Sequence, residues 1–190
     1  MGQIVLVTGG VRSGKSAFAE RYAAHCAVQS GARVAYIATA QVYDEEMRQR
    51  VDLHQARRPA NWTTYEAPFN TENAIRAAGA EHGVILFDCI TMFLSNDMLQ
   101  YPEDEQERDS FALHVEERIG ALMGAAEGVD ATTIFVTNEV GAGIVPEHRL
   151  GRLYRDMAGL ANQQIARSAA EGYLVTCGLA IDLKKIAEEI

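Results

Sequence analysis

Residues 9–16 read GGVRSGKS, which places Gly9, Gly14, Lys15 and Ser16 at the spacing G-x-x-x-x-G-K-[ST]. In such a loop the glycines let successive backbone N–H groups converge on a phosphate at the mouth of a helix. The lysine then reaches the β- and γ-phosphates of a nucleoside triphosphate, and the hydroxyl ligates Mg²⁺. A strand-like run, QIVLVT, precedes the loop and an amphipathic stretch, SAFAERYAAHCAVQS, follows it. The strand, loop and helix that the motif requires are therefore all present. A phosphate loop also needs a carboxylate near its metal, and Asp88 ends the apolar run GVILFD. Alone, an aspartate there is as good a helix cap as a metal-site residue; paired with the loop, it reads as the metal carboxylate. Glu66, at the end of the strand-like WTTYE, is a second carboxylate near the same edge, although its spacing alone fits a solvated strand end equally well. Asn138 and Glu139 open the loop TNEVGAGIVPEHR, loosened by Gly141 and Gly143. A loop in that position carries function or is an ordinary turn.

The stretch RVDLHQARRPANW raises a different chemistry. Asp44, Glu45 and Glu46 suit a first helical turn and Pro59 stops the helix, so Arg50, His54 and Arg58 fall at i, i+4 spacing on one face with Arg57 beside them. Neighbouring cations disfavour imidazolium and keep the ring neutral, as a nucleophile must be. The guanidiniums can hold phosphate oxygens while charge builds at phosphorus. A surface histidine on a basic helix face satisfies the same periodicity. His25, His82, His114 and His148 have no comparable surroundings and carry no assigned role.

Strands and helices must position these groups. QIVLVT, RVAYIAT, GVILFD, TTIFVT and GYLVTC read as strands, and SAFAERYAAHCAVQS, DEEMRQRVDLHQARR, TENAIRAA, DEQERDSFALHVEERIGALMGAAE and RLYRDMAGLANQQIARSAAE as helices between them. The alternation predicts an α/β fold with a mainly parallel sheet flanked by helices, whose ligands gather at the carboxyl ends of the strands. With 190 residues, 48% apolar content and no linker or repeat, the chain is expected to form one domain over residues 1–190. A net charge of −9 and a pI near 5.0 argue against nucleic acid and anionic membrane as partners. The longest apolar run, near GVILFDCITMFL, is broken by Asp88 and too short to span a bilayer. The amino-terminal MGQIVLVTGG has no basic leader, so the cytoplasm is expected. Cys26, Cys89 and Cys177 lie far apart in apolar company and read as buried free thiols.

GGVRSGKS, YIATA, the set H-x-x-x-R-P-x-x-W-x-T-x-E-x-P from His54 to Pro68, DCITMFLSN, TNEVGAGIVPE and RDMAGLANQ follow one another over nearly the whole chain. In this order they closely resemble the bifunctional adenosylcobinamide kinase/adenosylcobinamide-phosphate guanylyltransferase family of the nucleotide-loop branch of cobalamin biosynthesis. The resemblance implies a RecA-like P-loop fold, a homotrimer, Mg²⁺, and GTP and ATP as substrates. It implies phosphorylation of the aminopropanol hydroxyl of adenosylcobinamide by a nucleoside triphosphate, then transfer of GMP from GTP through a histidine-linked intermediate. It places the guanylylated histidine at His54 and gives Lys15 a catalytic role. Nucleotide binding falls to Gly9, Gly10, Val11, Arg12, Ser13, Gly14, Lys15, Ser16, Ala38, Thr39, Ala40, Arg57, Arg58, Glu66 and Asp88, and metal binding to Ser16 and Asp88. The chain departs from the pattern at GLAIDLKK, where Ala180 occupies a position often held by proline. Two other classes fit the loop alone: a small-molecule kinase without a covalent intermediate, and a non-catalytic nucleotide-binding module.

Overall fold

The computed structural model describes residues 2–42, 45, 48–49, 51, 55, 58–101 and 108–188. The strands are β1 (Gln3–Thr8), β2 (Val34–Ala38), β3 (Thr63–Glu66), β4 (Val84–Asp88), β5 (Thr132–Val136), β6 (Glu171–Thr176) and β7 (Leu179–Asp182). The described helices are α1 (Lys15–Ser30), α2 (Thr71–Gly79), α3 (Ile90–Gln100), α4 (Arg108–Glu127), α5 (Arg149–Ser168) and the single turn α6 (Leu183–Ile186). Glu45, Arg48, Gln49, Val51 and Gln55 are also helical.

The seven strands among the described residues form one sheet in the order β3-β2-β4-β5-β1-β6-β7, parallel except for the final β6–β7 pair. The strands read as unbroken apolar runs because both faces are covered. Alternation along each strand then divides the residues between two cores. Ile4, Leu6, Ile37, Ile85, Phe87 and Phe135 face the side packed by α2 to α5. Val5, Val7, Tyr36, Leu86, Ile134 and Val136 face α1, where Ala19 and Ala23 permit close approach.

The strand expectations hold within a residue or two, and WTTYE supplies edge strand β3. Three pieces of the structure lie outside the expected elements. ITMFLSNDMLQ, inside the longest apolar run, is helix α3, whose Ile90, Phe93, Leu94 and Met98 are buried at helical spacing. The helix expected over 152–171 begins at Arg149 and ends at Ser168, because Glu171 already pairs with Val5 in the sheet. The divergent GLAIDLKK forms β7 and α6, which join β6 through the two-residue turn Cys177–Gly178. Both turn residues have positive φ, 52° and 79°, the twist that suits a tight hairpin. Cys177 is consequently exposed, and Cys26 and Cys89 are partly buried, correcting the expectation of three buried thiols; all three are free.

Candidate active site

Sheet register brings the predicted groups to one line. Glu66 pairs with Ala38, Ala38 with Asp88, Asp88 with Val136, and Val136 with Val7. Each strand ends at that row or within a residue of it, so the loops after β1, β2, β4 and β5 start side by side. β5 separates β1 from β4, which puts the Asp88 backbone roughly 10 Å from Val7 at ordinary strand spacing. That gap is wide enough for a phosphate and its counter-ion.

The phosphate loop is shaped by close contacts. A Cβ on Gly9 would lie 2.3 Å from the Val175 carbonyl oxygen and 2.7 Å from Ser13 Oγ, so only glycine fits. Gly14 has φ 96° and caps α1 without a side chain, and its N–H side is braced by the hairpin turn, where Gly178 N–H donates to Ser13 O at 2.8 Å. Helix α1 therefore opens with a bare dipole end aimed at the loop, the arrangement that binds an anion. Lys15 is buried and its Nζ donates to Gly10 O at 3.1 Å, reaching back across the loop. Burial holds its pKa below the ordinary lysine range, partly offset by Cys89 and Asp88. A buried cation with few partners is stabilised by a phosphate anion.

A cavity of about 300 Å³ opens beside the loop, lined by Val11, Arg12, Lys15, Ser16, Ala38, Ala40, Arg58, Glu66 and Asp88 among the predicted residues. Gly9, Gly10, Ser13 and Gly14 form the backbone of the loop itself. Thr39 is fully buried behind the wall, where its Oγ1 donates to Cys89 O at 2.9 Å and accepts from Cys89 N–H at 2.8 Å. His54 and Arg57 lie outside the described residues. Their flanks do not: Val51 and Arg58, three residues before and four after His54, both line the cavity. The Arg58 guanidinium sits over the Tyr36 ring at 3.5 Å, and its buried Nε has no hydrogen-bond partner among the described residues.

Tyr36, Cys89, Met92 and Asn138 also line the cavity. Asn138, which by sequence only opens a loop, donates from Nδ2 to Thr91 Oγ1 at 2.8 Å, and its carbonyl accepts from Asn162 Nδ2 at 3.1 Å. Thr137 Oγ1 donates to Asn162 Oδ1 at 2.7 Å, so RDMAGLANQ contributes by fixing the β5 loop. Asn96 of DCITMFLSN donates to Thr39 O at 2.8 Å and Pro68 O at 3.1 Å, tying α3 to the loops after β2 and β3. Cys89 follows Asp88 through a cis peptide. Its thiol is pushed up to about 11, by burial first and by Asp88 second. Tyr36 was missed because, within an apolar strand, a tyrosine reads as core; its hydroxyl, which needs a partner when buried, was the available signal.

A phosphate-binding loop after β1, a buried lysine and a carboxylate two strands away define a P-loop nucleotide-binding protein. The chain matches the model of the family described as cobinamide kinase / cobinamide phosphate guanyltransferase over residues 5–183. It is 39% identical over 185 residues to the bifunctional adenosylcobalamin biosynthesis protein CobU of Escherichia coli K12, covering 95% of this chain and 99% of that protein. It is 40% identical over 179 residues to the bifunctional adenosylcobalamin biosynthesis protein CobP of Pseudomonas aeruginosa, covering 94% and 96%. Among solved structures it is similar to a KaiC-like protein of Pyrococcus horikoshii OT3, with TM-score 0.45 and 17% identity over 90% of this chain and 70% of that one. The chain belongs to the cobinamide kinase / cobinamide phosphate guanyltransferase family and is a transferase of cobalamin biosynthesis.

Proposed function

We propose that the chain, as one catalytic domain over residues 1–190, carries out both reactions for which its family is named. The first phosphorylates the aminopropanol hydroxyl of adenosylcobinamide with ATP or GTP. The second moves GMP from GTP to adenosylcobinamide phosphate through guanylylated His54, giving adenosylcobinamide-GDP and pyrophosphate. In this reading the enzyme is cytoplasmic and homotrimeric. Among the described residues no helix is long and apolar enough to cross a membrane.

The observation that carries the proposal is the convergence of Lys15, Ser16, Asp88, Glu66 and Arg58 on one cavity in a chain that matches the family over residues 5–183. In the kinase step the acceptor hydroxyl oxygen attacks the γ-phosphorus as the bond to the β-phosphate oxygen breaks, and the hydroxyl proton passes to solvent. Lys15 and the open amino terminus of α1 hold the phosphate oxygens whose charge shifts during that exchange. In the guanylyl step an imidazole nitrogen of His54 attacks the α-phosphorus and pyrophosphate leaves. An oxygen of the substrate phosphate then displaces the histidine. Val51 and Arg58, which flank His54 in the sequence and line the cavity, support His54 as the nucleophile.

The donor set fits Mg²⁺. No group of three or more His, Cys, Asp or Glu side chains suited to a metal occurs among the described residues, whereas Ser16 and Asp88 share the cavity. One hydroxyl and one carboxylate suit a cation that keeps most of its shell as water and phosphate oxygen. When bound, Mg²⁺ neutralises phosphate charge.

Incubation with GTP labelled at the α-phosphate, in the absence of corrinoid, tests the covalent step. The expected result is one GMP added per chain, released in mild acid and retained in alkali, with pyrophosphate in the medium. His54→Ala should lose this adduct and GMP transfer while retaining phosphorylation of adenosylcobinamide. Label on the His54→Ala protein would place the nucleophile elsewhere, and a wild-type protein that phosphorylates the corrinoid but never takes up label would be a simple kinase.

A further inference from the structure

Tyr36 stands at the crossing of two groups that the proposed function assigns to separate tasks. It is 2% exposed, on β2, and directly opposite Leu86 in the register with β4. Leu86 and Asp88 are two residues apart and share a sheet face, so Tyr36 points diagonally at Asp88. Its hydroxyl donates to Asp88 Oδ2 at 2.6 Å, a short charge-assisted bond. Its ring carries the Arg58 guanidinium at 3.5 Å from the centroid. Arg58 also donates to Thr64 Oγ1 at 3.4 Å on β3. One side chain thus touches the carboxylate that shares the cavity with Ser16 and the guanidinium of Arg58, four residues after His54.

We propose that Tyr36 is a positioning residue that sets Asp88 through its hydroxyl and Arg58 through its ring, so that the metal side and the histidine side of the cavity share one support. The inference rests on the reading of Asp88 as the metal carboxylate. A carboxylate with two oxygens and freedom about its side-chain torsions is a poorly aimed ligand. A donor fixed on one oxygen restricts those torsions and would help aim the carboxylate at a bound cation; outer contacts of this kind commonly change metal affinity by about 10- to 100-fold. The ring acts separately, by presenting a flat face to the guanidinium.

The two halves can be separated by substitution. Binding of the β,γ-imido analogue of ATP is measured by calorimetry with Mg²⁺ and with EDTA. The ratio of the two affinities reports metal coupling without any turnover. Tyr36→Phe keeps the ring and should shrink that ratio about 10-fold, with the affinity in EDTA changed less than about twofold. Tyr36→Leu should shrink the ratio as far and also weaken binding in EDTA several-fold through loss of the Arg58 platform. A Tyr36→Phe protein with the wild-type ratio overturns the proposal, whatever its melting temperature, because a purely structural role would move stability alone. Asp88→Asn separates the possible failures. If it abolishes the metal effect while Tyr36→Phe does not, only the Tyr36 inference falls; if neither changes the ratio, the metal reading of Asp88 falls as well. In the double variant, Tyr36→Phe should add nothing to Asp88→Asn, since the hydroxyl acts through that carboxylate.

Discussion

Thr39 divides a ligand reading from a scaffold reading. The resemblance makes it nucleotide-binding, yet the structure buries it fully and commits its hydroxyl to Cys89. Thr39→Val keeps the shape and exchanges the hydroxyl for a methyl group. Cys89 N–H then loses the acceptor at 2.8 Å, and an orphaned buried N–H costs about 1–3 kcal/mol. Cys89 O loses the donor at 2.9 Å but keeps a bond from Phe93 N–H at 3.1 Å, so that loss is nearer ~1 kcal/mol. The expected destabilisation is about 2–4 kcal/mol, read from urea unfolding of the two proteins at one pH. Thr39→Ser keeps both bonds and loses one buried methyl, so it should cost only about 1 kcal/mol. Nucleotide affinity is the second readout. If the threonine is scaffold, Thr39→Ser binds nucleotide as the wild type does, and Thr39→Val is affected chiefly through the Asp88–Cys89 turn. A Thr39→Val protein of wild-type stability with a nucleotide affinity reduced 10-fold would refute this reasoning and return the hydroxyl to the ligand.

Two further outcomes follow from the buried groups at the loop. Lys15→Ala should lower triphosphate turnover by a factor of ~10² or more, because it removes a charge aimed at phosphate. Urea unfolding should show stability kept or raised, since the variant also removes a cation whose burial is unfavourable; a folded Lys15→Ala protein with full turnover would end the P-loop reading. Cys89, raised from 9.0 to about 11 in the folded chain, stays protonated where the unfolded chain ionises. Its contribution to stability is therefore complete below pH 9 and lost as pH rises through about 11, worth up to ~3 kcal/mol at about 1.4 kcal/mol per unit. Unfolding free energies at pH 8 and pH 11 should fall more steeply for the wild type than for Cys89→Ala, and parallel slopes would contradict the burial argument.

The sequence showed most of the sheet and half of the site, and the division has physical causes. Parallel strands buried on both faces announce themselves as apolar runs, and a phosphate loop is specified by backbone geometry that only glycine allows, so both survive in one-dimensional text. Helix α3 did not, because a buried helix placed directly after a buried strand continues the same apolar run through Cys89 and Ile90, and periodicity cannot divide the two. The β7 hairpin was hidden because its turn, Cys177–Gly178, carries a cysteine where asparagine or aspartate would signal the twist. That turn matters to the site: Gly178 N–H braces Ser13 O, so a segment that looked merely divergent supports the phosphate loop.

The basic stretch is a different case, in which Arg58 alone of the grouped residues lies among those described and its contacts were not legible in the spacing. Helical periodicity groups Arg50, His54 and Arg58 on one face and suggests that the arginines act together around the histidine. Arg58 lies over Tyr36 and beside Thr64, held by an aromatic face from one strand and a hydroxyl from another. Neither contact leaves a trace in the spacing of the helix, because both partners come from strands paired in the sheet. A guanidinium fixed in that way is worth more to a phosphate than one on a mobile solvated helix, since less side-chain entropy is lost when the ligand arrives. The tyrosine therefore determines whether Arg58 is preorganised, and the arginine cluster alone could not have revealed it.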